Sequence, residues 1–123
     1  MSKKVYSRIT LQGMKSVEDM RIRNIDEVVN TIYQLVIQES KRNINNNYKY
    51  VCNNPSYGII FYDENSTEII NGLKMLFPDC TIVFKKFLRD NFQQVKEFTY
   101  IDDTMKQFVS RVYEQDYFLI DWS

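Results

Sequence analysis

Histidine is absent from this chain. With it goes the side chain most often used as a general base and as a metal ligand. Cysteine occurs only at Cys52 and Cys80, with no CxxC spacing, too few soft ligands for a four-ligand zinc site within one chain. Two isolated thiols suit a reducing compartment, where they behave as small buried hydrophobes. Glycine occurs three times, and no glycine-rich phosphate loop is among its contexts. Basic and acidic side chains balance to a formal net charge of zero, so the basic excess of a dedicated nucleic-acid binder is missing. No apolar run approaches a membrane span, and the first six residues do not form a signal peptide. These absences lead to the expectation of an intracellular protein, cytoplasmic or nuclear, with no cofactor, no metal and no membrane partner.

Alanine is missing too, while Ile, Asn, Lys and Tyr are abundant. Those four residues have AT-rich codons, so the bias points to an AT-rich genome such as that of a large DNA virus, a phage or an AT-rich protist. Helices built without alanine lean on tertiary packing more than on intrinsic propensity. What is present is apolar and aromatic: 44% of the 123 residues are hydrophobic and 15% are aromatic. That is enough to bury a core in one domain.

Val5, Ser7, Ile9 and Leu11 alternate with Tyr6, Arg8 and Thr10, which predicts a half-buried strand over 5–11, ended by Gly13. Residues 14–23 read as a loop that could hold a short turn of helix, with a short strand over Met20 to Arg23 as the alternative. Asn24 then offers an N-cap, and Ile25, Val28, Val29, Ile32, Leu35 and Val36 recur at three- and four-residue steps. This predicts a helix that ends near Lys41 and Arg42. Residues 48–52 and 57–62 read as two strands of a hairpin, joined by Asn53-Asn54-Pro55-Ser56. Asn65 with Glu68 resembles a capping box for a second helix, which Pro78 closes. Strands are expected over 80–88 and 96–101. A third helix is expected from Asp102 or Asp103, with Met105, Phe108, Val109, Val112 and Tyr113 on one face.

Up to Leu88 this order is β-α-β-β-α-β, so the expected fold is α+β and ferredoxin-like. The chain is read as a single domain, 1–88 as core and 89–123 as an extension that packs on the sheet or on a partner. The strands at 5–11 and 57–62 would be central and those at 48–52 and 80–88 edges. Cys52 and Cys80 would then lie too far apart to bridge.

Pro55-Ser56-Tyr57-Gly58-Ile59-Ile60-Phe61-Tyr62 resembles the RNP1 segment of RNA-recognition motifs, which occupies the third strand of that fold. Tyr57, Gly58, Ile60 and Tyr62 match; the leading basic residue, the second glycine and the second aromatic do not. The resemblance implies an open sheet face on which Tyr6, Tyr57, Ile59 and Phe61 stack on RNA bases. A strand apolar on both sides is more often a covered central strand, and the expected third helix and the 117–122 tail offer that cover.

The tail 117–122 is too apolar to hang free. Tyr117, Phe118 and Trp122 either pack on the domain or anchor a partner protein. Exposed strand edges offer a route to a homo-oligomer. Acidic pairs at Glu18-Asp19, Asp63-Glu64 and Asp102-Asp103 are the raw material of a carboxylate or metal-dependent enzyme, although helix starts explain two of the three. The sequence therefore favours a non-enzymatic protein-interaction or assembly module. RNA binding is the alternative, and carboxylate-based catalysis comes third.

Overall fold

The computed structural model describes residues 7–42, 45–102 and 110–123. The architecture is α+β: a long N-terminal helix, then an antiparallel five-stranded sheet with short helices beside it.

Helix α1 runs Arg8–Arg42, about 50 Å at 1.5 Å per residue. Ser7 is its N-cap. The Ser7 hydroxyl accepts the Thr10 backbone N–H at 3.1 Å, and the Ser7 carbonyl accepts the first helical bond from Leu11. Lys41 and Arg42 close the last turn, where cations suit the helix dipole. The expected helix over 24–42 is therefore the C-terminal half of a longer one. The expected strand over 5–11 and loop over 14–23 are both overturned from Ser7 onward; Val5 and Tyr6 lie outside the described residues. Gly13 does not break the helix, because one interior glycine costs only ~1 kcal/mol.

Strand β1 (Asn47–Val51) follows. Pro55–Tyr57 forms a single 3-10 turn, with the Asn54 side chain accepting the Ser56 N–H at 2.9 Å. Helix α2 (Phe61–Glu64) and helix α3 (Ser66–Leu76) come next. The expected strand over 57–62 is thus a turn and a helix start. Gly58 sits at φ 84° between them, a backbone conformation that glycine adopts without steric penalty. The strands then run β2 (Thr81–Arg89), β3 (Val95–Phe98), β4 (Ser110–Arg111) and β5 (Tyr117–Asp121). The expected third helix fails at its C-terminal end, where Ser110 and Arg111 are strand and Tyr113–Gln115 is a 3-10 turn. Its Met105, Phe108 and Val109 lie outside the described residues.

The sheet order is β1-β5-β2-β3, with β4 also pairing to β2. Every pairing is antiparallel. The observed order differs from β-α-β-β-α-β, since a helix opens the described chain and the last strand lies inside the sheet. β2, expected as an edge, is interior. Cys52 follows the end of β1 and Cys80 precedes β2, at opposite ends of the sheet, and both thiols are free.

One face of the sheet carries the core. Phe118 of β5 lies opposite Tyr50 on one side and Phe84 on the other, and the Phe84 and Phe118 rings stand 4.6 Å apart. Ile82, Phe84, Phe118 and Ile120 pack with Ile25, Val28, Ile32 and Val36 of α1 and with Ile69 and Leu73 of α3. Burial of these apolar side chains stabilises the fold by ~1.5–3 kcal/mol each. All the α1 residues in this core lie at or beyond Ile25.

Candidate functional site: the unpacked half of helix α1

The apolar stripe of α1 is interrupted by charge where the core stops, at Arg21 and Glu18, and apolar residues resume at Met14 and Leu11. Counting back from Ile25 in helical steps passes Arg21, Glu18, Met14 and Leu11. Residues 8–20 are nevertheless all exposed. Leu11 is 56% exposed, Met14 46% and Val17 71%, with Ile9 and Met20 exposed on the other side. This segment extends about 20 Å beyond Arg21. A shallow apolar notch runs along it, lined by residues that include Ile9, Gly13, Met14 and Val17, and beyond the helix's own neighbouring backbone nothing among the described residues stands within 4 Å of where a Gly13 Cβ would lie. Several exposed apolar side chains gathered on one segment are the raw material of a contact site.

Arg21 ties the helix to the body at the boundary between its two halves. The guanidinium donates to Glu18 Oε2 at 3.0 Å and Oε1 at 2.6 Å, to Glu68 Oε1 at 2.5 Å and to Asn65 Oδ1 at 2.9 Å. Hydrogen bonding from Arg21 holds the Glu18 carboxyl below its usual range. Bonds to Glu18 and then Glu68 keep Arg21 firmly charged. Asn65 is buried, and its amide also donates to the Phe61 carbonyl at 2.9 Å. It makes no side-chain cap for α3, so the expected capping box is not formed, and Glu68 turns to Arg21 instead. Below this tie the helices meet closely. A Cβ on Gly72 would stand 3.0 Å from Val29 Cγ2. Beside that contact a groove of about 320 Å³ opens, lined by residues that include Ile22, Asp26, Glu68, Gly72 and Met75.

The residues singled out from the sequence lie elsewhere. Tyr57 is in the 3-10 turn, Ile59 is exposed in the following turn, and Phe61 starts α2. Tyr57 and Phe61 stack on each other at 5.2 Å, and the Tyr57 hydroxyl donates to Glu27 at 3.0 Å. None of the three lies on a strand, so strand alternation does not align them into a stacking face. Tyr6 lies outside the described residues. Tyr117 and Phe118 are buried in β5, and Trp122 packs against the core. The tail thus forms an interior strand of the chain's own sheet.

Of the acidic pairs, Glu18-Asp19 is on α1, Asp63-Glu64 is on α2, and Asp102 follows β3; Asp103 lies outside the described residues. Among the described residues no three His, Cys, Asp or Glu side chains group closely enough to hold a metal ion. Asp63 joins a structural cluster instead. Its carboxylate is 3.3 Å from Arg111 Nη2 and 3.8 Å from Lys86 Nζ. Cys52 lines a cavity of about 280 Å³ with residues that include Asn54, Pro55, Gly58, Ile59 and Glu114. Burial pushes its thiol well up, with the Asp116 charge adding to the effect, which leaves it a poor nucleophile. Among the described residues no helix is long and apolar enough to cross a membrane.

The free half of α1 escaped the sequence reading, although its signal was there. Leu11, Met14 and Arg21 keep the step of the downstream core stripe, and Ser7 with Thr10 carries the cap. No known family model matches the chain, and neither does any curated protein or solved structure.

Proposed function

We propose that the protein is a non-enzymatic interaction or assembly module that docks through residues 8–22 of α1. The observation that carries this reading is the exposure of Leu11, Met14 and Val17 on a capped, continuous helix whose other half is fully committed to the core. An amphipathic helix gains most of its stability in water by covering its apolar stripe, and in this chain the described residues leave that stripe open. Helix-in-groove recognition uses side chains at these spacings. The aromatic tail, for which the sequence left packing on the domain or docking on a partner as the two roles, packs on the domain, and the contact role passes to α1.

The test compares the wild-type chain with a Leu11→Glu/Met14→Glu variant by size-exclusion chromatography in native extract. The reading predicts an assembly larger than the 14.8 kDa chain for the wild type and its loss in a variant with unchanged thermal stability. A wild-type chain that stays monomeric both in native extract and when purified at high concentration overturns it.

A further inference from the structure

Between residues 8 and 17, α1 carries only two charges, both positive: Arg8 and Lys15. Between 18 and 27 the acids Glu18, Asp19, Asp26 and Glu27 outnumber Arg21 and Arg23. This polarity opposes the helix dipole, which favours acids at the N-terminus, and the first turn of α1 has none. Isolated-helix stability therefore does not account for it. Leu11, Lys15, Glu18 and Ile22 form one line along the helix, at steps of four, three and four residues. The line reads apolar, positive, negative, apolar. Reversed, it is its own complement.

We infer that this stripe docks on a second copy of the same chain, as an antiparallel pair of α1 helices centred between Ser16 and Val17. The inference rests on the docking role proposed above and names its occupant. In that register Leu11 meets Ile22 of the second copy, Lys15 comes to the level of its Glu18, whose carboxylate also accepts from its own Arg21, and the two-fold axis repeats both contacts. Arg8 reaches the level of Ile25 and Asp26 of the second copy. There the groove beside Ile22 opens, rimmed by Asp26, Glu68 and the 85% exposed Met75. Arg8, Lys15 and Asp26 make no ion pair among the described residues of the single chain. A parallel pair would set like charges side by side, which is destabilising. Two such helix segments cover a small area, so the dimer belongs with weak, transient contacts. The two-fold arrangement closes on itself and builds no filament. Its charge contacts are exposed and weaken with salt.

The experiment uses the full chain in two steps. Sedimentation across a concentration series is expected to show a monomer that becomes a dimer. The shift should be smaller at high salt and absent in Leu11→Glu. Leu11→Cys and Ile22→Cys proteins, each carrying Cys80→Ser, are then mixed and mildly oxidised. The mixed 11–22 cross-link should dominate over the 11–11 product. A dominant 11–11 product means a parallel pair and overturns the inference. So does a monomer at every concentration. A purified monomer that still enters a larger assembly in native extract overturns the self-pairing and leaves docking through α1 to a different partner. A monomer in both settings overturns the two together.

Discussion

Arg111 and Asp116 face each other through two hydrogen bonds, Nη1 to Oδ1 at 3.0 Å and Nη2 to Oδ2 at 2.5 Å, beneath the surface of the sheet. Asp116 is 1% exposed and also accepts the Phe87 N–H at 3.1 Å, while Arg111 donates to the Phe87 carbonyl at 2.9 Å and lies over the Tyr113 ring. Burial pushes the Asp116 carboxyl up, and the hydrogen bond and charge of Arg111 oppose it. The pair fixes where β4 and β5 meet β2. Removing one partner strands the other charge, so Arg111→Met should cost about 3 kcal/mol in urea unfolding, the lower end for a broken buried pair. Adding Asp116→Leu should recover part of that loss, because the stranded charge is gone.

The glycines of α1 and α3 should respond oppositely to alanine. Gly13→Ala meets open space, so it should favour the helix by about 0.5–1 kcal/mol. The readout is helicity and amide exchange over 8–20, since this segment adds little to the global core. Gly72→Ala drives a methyl against Val29, whose β-branched side chain has one strongly preferred rotamer in a helix. Overpacking of ~1–3 kcal/mol then outweighs the propensity gain, and the urea midpoint should fall.

Tyr117 gives the chain an alkaline sensitivity. Burial, then the hydrogen bond from its hydroxyl to Glu97, pushes its pKa up to about 12. A phenol raised above its unfolded value of about 10 adds stability that is complete below that value and is lost as pH climbs toward the folded one. Unfolding free energy should therefore fall between pH 10 and pH 12, and Tyr117→Phe should flatten part of that slope. Burial raises Tyr50 and Tyr62 as well, so some slope should remain.

Thiol labelling should separate the cysteines. Burial raises both, Cys52 the more strongly, and Cys52 is buried while Cys80 is half-buried. At neutral pH a maleimide should modify Cys80 slowly and Cys52 only on unfolding. No 52–80 disulfide should form in the folded chain.

Periodicity made several elements legible from the sequence. The stripe Ile25–Val28–Ile32–Val36 lies in α1, Ile69 and Leu73 lie in α3, and β1, β2 and β3 fall close to where alternation put them. The failures share a cause. Steps of four residues belong to both the helical and the strand period, so short windows such as 5–11 and 57–62 satisfy either. From Ser7 onward the Ser7 cap and the helical spacing of Leu11 and Met14 decide for helix. At 57–62 the left-handed Gly58 and the burial of Tyr62, 3.2 Å from the Tyr50 hydroxyl, decide against strand. The place of β5 between β1 and β2 is a long-range pairing that no local pattern encodes. The candidate site was hidden by the same misreading, since a strand over 5–11 leaves no helix to project.

Pairing of the free half of α1 with a second copy of the chain should shield that segment as the protein associates. Hydrogen–deuterium exchange on the purified full chain at low and high protein concentration tests it most directly. Exchange over residues 8–22 should be slower at the higher concentration, with the core amides around Ile25–Val36 unchanged. Equal exchange over 8–22 at both concentrations would contradict it.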